Sequence, residues 1–340
     1  IVNRCRASSY RRPHRVAIGG NPGRAATIAC MTTVFLPGQW CRRAGLHWRM
    51  TRPAFLLLTL SAVVLGLASA ATAAALAPAR VLATVLLACL AHAGGNVLND
   101  YHDARNGADA ANRDALLPFT GGARLIQGGW VTERDTGRWA ALLLLATVAG
   151  GLVLASLSGP ALWLIGAAGL ALAWAYSAPP LALMARGLGE AAVATCWWLV
   201  VLGADYVQRG ALAALPALLG AGLALLVAGL LLVNGFPDAR ADAQVGKRTL
   251  VVRLGPAAAA RLYLGLALLA HAVAPLAVLA GWMPTGALAG LLSLPLSLAA
   301  AWQLLRHGRM PQRLRPAIGL SIAAANLHAL ALAAGLALGR

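Results

Sequence analysis

The sequence predicts an all-α integral membrane protein with nine transmembrane helices arranged as two related halves. Three observations carry this. Of 340 residues, 60% are hydrophobic and only 11% charged, whereas a soluble domain carries about a quarter charged residues. The apolar residues gather into blocks of roughly 18 to 25, the length that crosses a hydrocarbon core. The basic residues fall almost entirely at one set of block ends.

Taken in order, the first two spans cover about 54–76 and 79–99, joined across Pro78, and open into a long polar connection at 100–138. The third and fourth, about 139–157 and 160–176, make a tight hairpin across Pro160 and lead into 177–188. The fifth and sixth, about 189–207 and 211–234, run out into 235–256. The seventh and eighth, about 257–280 and 284–305, join across Pro284 and end in 306–316, and the ninth, about 317–338, follows. Leu, Ala, Val and Gly dominate these blocks; the small residues allow close helix contact where lipid offers no hydrophobic drive.

Charge sets the orientation. With the amino terminus assigned to the cytoplasm, 25 of the 28 basic residues lie on that side: ten up to Arg52, five in 100–138, Arg186, five in 235–261 and four in 306–316. Only Arg80, Arg209 and Arg340 fall opposite. This is the positive-inside distribution. The net charge of +18 is therefore read as a topology signal: the expected partner is membrane lipid and no nucleic acid. With 27 Arg and one Lys, the coding looks GC-rich and bacterial, so the expected location is a bacterial cytoplasmic (inner) membrane, with the amino terminus and the site-bearing loops cytoplasmic. Residues 1–50 form a basic tail beginning at Ile1. It is expected to be disordered or to lie upstream of a natural start at Met31 or Met50, leaving 51–340 as the membrane domain. The five cysteines show no disulfide or metal spacing.

The ten acidic residues are the informative ones. The second span runs into Asn96, Asn99, Asp100 and Asp103, with Asp109 following; at i, i+3/i+4, i+7 the first four share one helical face. The sixth runs into Asn234, Asp238 and Asp242, at i, i+4, i+8, across Pro237, which bends the helix. Both faces reach the same membrane surface, four spans apart. Carboxylates at a membrane boundary are costly unless a cation answers them. Any single Asp here reads first as a helix-end cap; two matched faces read as hard oxygen ligands for Mg²⁺, which takes one or two carboxylates and shares its other positions with water and phosphate. Basic groups flank both faces: Arg105, Arg113 and Arg124 after the first, and Lys247, Arg248 and Arg253 after the second. Lys247, the single lysine, and the Arg forks suit a diphosphate's oxygens; Arg105, Arg240 and Arg253 read as topology residues. The stretch Pro118-Phe119-Thr120-Gly121-Gly122-Ala123-Arg124 reads as a backbone-exposing loop over a substrate. Tyr176, ahead of Pro179-Pro180, is placed to line an aromatic pocket or to anchor the interface.

At these residues the sequence resembles the UbiA superfamily of membrane prenyltransferases over about 50–338. Asn99, Asp100, Asp103 and Asp109 match its first acidic motif, Asp238 and Asp242 its second, and Tyr176–Pro180 and Gly246–Gly255 its loop signatures. The spacing and the Gly-Lys-Arg-Thr-Leu tract look most like the 1,4-dihydroxy-2-naphthoate polyprenyltransferases of menaquinone synthesis. The resemblance implies a nine-helix bundle around a central cavity and an Mg²⁺-dependent prenyl transfer. The donor would be a polyprenyl diphosphate and the acceptor an aromatic ring. Asp100, Asp103, Asp238 and Asp242 would hold the metal, supported by Asn96, Asn99 and Asn234. Lys247, Arg124 and Arg113 would neutralise the leaving group, with Arg248 and Tyr176 at the substrate and Asp109 orienting the acceptor or a base.

Other acceptors compatible with the pattern are 4-hydroxybenzoate, homogentisate, a porphyrinoid, haem or a phosphoribosyl compound. An ion-coupled transporter also brings polar residues on repeats, but places them near the bilayer midplane, whereas these motifs lie at helix ends.

Overall fold

A computed structural model describes residues 37–339, with side chains from Arg43 onward. Among these residues, nine helical segments are long and apolar enough to cross a membrane. Residues up to 36, including Met31, lie outside the described part. The end of the expected tail is helical: α1 (Pro37–Met50) buries Met50 in a cluster with Ala93 and Val97, and His47 meets Trp139 edge-on at 4.8 Å.

α2 (Pro53–Ala70) begins at a proline, which the first helical turn tolerates because its missing N–H had no partner there. α3 (Pro78–Asn106) has 29 residues, about 43 Å at 1.5 Å per residue. It outruns a hydrocarbon core of roughly 30 Å, and its acid face lies in the overrun. α4 (Ala108–Ala111) is a single turn. α5 (Glu133–Ser158) and α6 (Pro160–Ser177) complete the first half, and α7 (Gly189–Arg209) opens the second. α8 (Ala214–Gln244), 31 residues long, again outruns the core and carries Pro237 without ending. Its apolar window is 72% buried against 11% for α6, so α8 is the axis of the bundle and α6 lines its outside. α9 (Leu250–Leu279) starts seven residues before the expected 257 because the chain is already helical ahead of a kink at Gly255 (φ 73°) and Pro256.

The eighth crossing departs from a plain α-helix. Thr285–Ser293 is 3₁₀, and α10 (Leu294–His307) begins where Pro295 can no longer donate to the tighter ladder. α11 (Arg315–Leu338) closes the bundle. The 3₁₀ stretch meets α11 backbone to backbone: a Cβ on Gly335 would run into the carbonyl of Gly286, and one on Gly286 into that of Gly335. Nearby, Ser293 Oγ ties α9 to α11 through His271 Nε2 (2.8 Å) and His328 Nδ1 (3.2 Å). Gly335→Ala is therefore expected to destabilise the protein by about 1–3 kcal/mol through overpacking. The change would be read as a lowered melting temperature in detergent, while Gly319→Ala on the same helix, facing open space, leaves it unmoved.

Two packed cores follow from this order. One joins α2, α7, α8, α9 and α11 around Leu65, Leu223 and Ala329; the other joins α8 to α11 around Leu232, Leu304 and Ile318. Between α2, α3, α5, α6, α7 and α8 the helices part, leaving an apolar cavity of about 550 Å³.

Candidate active site

The acid faces of α3 and α8 converge at one end of this cavity. Asn96, Asn99, Tyr176, Asn234 and Arg52 lie on its wall. The link between the two faces is Lys247: its ammonium donates to Asp103 Oδ1 at 2.5 Å and lies 3.5 Å from Asp242 Oδ1. The side chain is only 5% exposed. Burial works against its charge, but the fields of Asp103 and Asp242 outweigh this and raise its pKa.

Asp100 is answered from a residue that the sequence reading counts only toward topology. The Arg52 guanidinium pairs with Asp100 Oδ1, while Oδ2 accepts the Ala123 N–H at 3.1 Å. Burial opposes the charge on Arg52 too, and Asp100 and Asp109 more than compensate, so its pKa is raised. The backbone of Arg52 is left-handed (φ 53°) immediately before Pro53, a costly conformation for a residue with a Cβ. Strain of this kind persists where surrounding contacts hold it, and here it aims the guanidinium back at the α3 face.

Loop 112–124 lies across both acid faces. Asp238 Oδ1 accepts Asn112 Nδ2 at 2.6 Å, with further hydrogen bonds from the Thr120 hydroxyl and the Gly121 N–H. Ala123 reaches Asp100 from the other end of the same loop. Arg124 holds the loop on itself, donating to the Asn112 carbonyl at 2.9 Å. Gln312 to Asp114 (3.0 Å) and Arg315 to the Leu117 carbonyl (2.8 Å) pin it to the start of α11. Gly122 (φ 70°) is the point of closest approach: a Cβ there would lie 2.7 Å from Asp109 Oδ2 and 3.1 Å from Asp100 Oδ1. Asp109 is buried beside this loop, and desolvation followed by the charges of Asp103 and Asp100 pushes its pKa up to about 7.

The remaining sequence-derived candidates divide. Asn99 Nδ2 donates to Asp103 Oδ2 at 3.1 Å and to Met184 Sδ at 3.3 Å, and Asn96 Nδ2 to the Thr51 carbonyl at 3.0 Å. Asn234 Oδ1 is buried with no hydrogen-bond partner among the described residues, one turn from Asp238 on the same face. Arg113 and Arg248 are exposed, the latter holding α9 through Arg253 Nε on its carbonyl at 2.9 Å. His92, on the cavity wall, is committed to Thr59 Oγ1 at 2.7 Å and to the edge of Trp197. Asn112 is a site residue that the sequence reading does not name; Arg52 it counts only toward topology, and Thr120 only as part of the loop over the substrate. The Asn-x-x-x-x-x-x-x-Thr-Gly-Gly run at 112–122 carries no periodicity that would single out its polar members.

As a donor set, the site is four carboxylates and one free amide oxygen. Among the described residues, no three acidic, His or Cys side chains come together closely enough to hold an ion by themselves. Acids of the two helices meet across Lys247 instead, Asp103 from α3 and Asp242 from α8. That fits Mg²⁺, whose coordination is completed by water and substrate phosphate, and it fits no all-protein cage.

Comparison with known proteins settles the family. The UbiA prenyltransferase family model matches residues 56–337. The chain belongs to the UbiA prenyltransferase family. It is thus a prenyltransferase and a multi-pass membrane protein. The family member from Mycobacterium tuberculosis, a 1,4-dihydroxy-2-naphthoate octaprenyltransferase, is 33% identical over 291 residues, covering 85% of this chain and 96% of its own. The enzyme of that name from Mycobacterium leprae is 32% identical over 290 residues, covering 84% and 94%. Among solved UbiA structures, the homolog from Aeropyrum pernix K1 superposes with a TM-score of 0.62 at 18% identity, over 84% of this chain and 98% of its own. The Archaeoglobus fulgidus homolog bound to DMAPP and Mg²⁺ gives 0.57 at 14% identity, over 84% and 98%. At these identities the structures establish the shared fold.

Proposed function

We propose that this UbiA enzyme transfers a polyprenyl group from an allylic polyprenyl diphosphate to 1,4-dihydroxy-2-naphthoate, with Mg²⁺ as cofactor, in quinone biosynthesis. The observation that carries the reading is the junction at Lys247, where two acid-bearing helix ends meet at the mouth of an apolar cavity. A polyprenyl diphosphate has the same two parts, a multiply charged head and an apolar chain. The naphthoate acceptor is supported by the mycobacterial relatives and by the Gly246–Gly255 tract.

In this reading Asp100, Asp103, Asp238 and Asp242 hold Mg²⁺, and Asn96, Asn99 and Asn234 supply neutral oxygens beside them. Bound there, the metal supplies Lewis-acid assistance to departure of the diphosphate. Lys247 and Arg52 answer the non-bridging oxygens; loop 112–124, with Arg124 and Gly122, closes over the head group. Leu58, Leu170, Trp197 and Leu230 line the cavity and exclude water from the allylic cation until the aromatic ring attacks it. The enzyme lies in the bacterial cytoplasmic (inner) membrane with the amino terminus and site loops facing the cytoplasm, an orientation that the distribution of basic residues supports.

The test is prenyl transfer by membranes expressing the chain, given radiolabelled polyprenyl diphosphate and a panel of acceptors, with Mg²⁺ or with EDTA. An EDTA-sensitive lipid product from the naphthoate is expected. Product only from 4-hydroxybenzoate, homogentisate or a porphyrinoid reassigns the acceptor; bound diphosphate with no product from any of them rejects aromatic prenylation.

A further inference from the structure

One turn into the membrane from Asn96, the apolar cavity wall carries a nitrogen that no other described residue engages. His92 on α3 lies on that wall, and its hydrogen bond joins Nδ1 to Thr59 Oγ1 on α2 at 2.7 Å. Nε2 has no hydrogen-bond partner among the described residues and is not sealed from the space around it, so it opens on the cavity.

The tautomer follows from Thr59. That residue is 1% exposed, and its hydroxyl makes this one hydrogen bond among the described residues. If Nδ1 were the donor, the hydroxyl hydrogen would be buried without an acceptor, which costs more than the bond returns. The Thr59 hydroxyl therefore donates to Nδ1, and the proton of the neutral ring sits on Nε2. Trp197 on α7 meets the imidazole at 83° with ring centroids 4.9 Å apart, which helps to fix its plane. The wall thus holds one oriented N–H donor.

Space lies beside it. A Cβ on Gly95, on the same part of α3, would meet nothing within 4 Å, and neither would one on Gly166 or Gly169 of α6; all three glycines line the cavity. Arg52 is the one Lys or Arg on this wall among the described residues, and Asp100 holds it. A neutral donor with no free cation near it suits a neutral oxygen, since an ionised carboxylate would sit there uncompensated. A polyprenyl chain has no oxygen to offer, whereas a hydroxylated aromatic ring does.

We propose that His92 Nε2–H donates to a ring hydroxyl oxygen of the aromatic acceptor and so positions the ring beside Gly95, against the prenyl carbon at the cavity mouth. This rests on the aromatic-acceptor reading above and supplies its subsite. Thr59 is a positioning residue: it holds the tautomer and touches no substrate.

Two amide substitutions separate the two ring nitrogens. Asn carries its amide about where Nδ1 stands, and Gln about where Nε2 stands. His92→Asn therefore keeps a partner for Thr59 and loses the cavity donor, while His92→Gln restores that donor. In steady-state prenyl transfer by the full-length enzyme, His92→Asn is expected to raise KM for 1,4-dihydroxy-2-naphthoate about 10-fold, the upper range for one neutral hydrogen bond. KM for the polyprenyl diphosphate should not move, and His92→Gln should stay close to wild type. Of 1-hydroxy-2-naphthoate and 4-hydroxy-2-naphthoate, the one lacking the bound oxygen should show the raised KM with wild type and no further rise with His92→Asn. A wild-type acceptor KM in His92→Asn, an equal loss in His92→Gln, or wild-type use of both monohydroxy analogues at the KM of the parent overturns the subsite alone. No wild-type product from any aromatic acceptor overturns the acceptor reading with it.

Discussion

Lys247→Ala is expected to reduce prenyl transfer by about 10²–10³-fold, the cost of removing one preorganised charge donor from a developing anion. It should also lower stability by roughly 3–5 kcal/mol, because a buried pair loses one partner. Both effects trace to one ammonium group, which donates to Asp103 at 2.5 Å and approaches Asp242 at 3.5 Å. Without it, two half-desolvated carboxylates from α3 and α8 face each other uncompensated. Lys247→Arg should restore most of the stability and only part of the rate, since a planar fork does not fit where a point charge reaches both acids. Labelled product formation and thermal melting in detergent, measured on the same preparations, check this. A Lys247→Ala enzyme with wild-type turnover would remove the residue from the site.

Asp100→Ala and Asp238→Ala should each abolish measurable transfer, a loss of about 10³-fold or more, while the protein still accumulates in the membrane. Each substitution also frees a different part of the enclosure. Loss of Asp238 leaves Asn112, Thr120 and the Gly121 N–H without their acceptor; loss of Asp100 releases Arg52 and the Ala123 N–H. Protease cleavage within 112–124 should therefore rise in Asp238→Ala relative to wild type. Turnover retained in both variants would sink the metal assignment.

The sequence made much of this legible, for a physical reason. Acid faces on α3 and α8 obey helical spacing, so Asp100, Asp103, Asp238 and Asp242 group by spacing alone. Lys247 stood out because it is the single lysine in an arginine-rich chain. Nine apolar blocks translate directly into spans because bilayer thickness fixes their length. What escaped depends on tertiary placement. Arg52 looks like any other positive-inside residue until its left-handed backbone turns it onto Asp100. Asn112 and Thr120 sit in a loop whose shape is dictated by the acids it bonds to. Arg113 and Arg248 sit close in sequence to the acids but remain exposed, since a loop, unlike a helix, gives spacing no fixed direction. The 3₁₀ stretch at Thr285–Ser293 was equally hidden, its composition being indistinguishable from that of an α-helical span.

The pairing of Arg52 with Asp100 and of Lys247 with Asp103 and Asp242 changes what loading the enzyme entails. A cluster of bare carboxylates at the edge of a bilayer would attract stray divalent ions and water whenever substrate is absent. With resident cations in place, Asp100, Asp103 and Asp242 are already answered in the empty site, and an arriving metal–diphosphate would enter by exchange. Asp100, Asp103 and Asp242 would be released to hold the metal, Arg52 and Lys247 would transfer to phosphate oxygens, and the original pairs would re-form once the product leaves. Metal on its own offers nothing to receive the displaced cations. On the proposed reading metal and diphosphate would therefore load together, and the site would reset itself after each turnover.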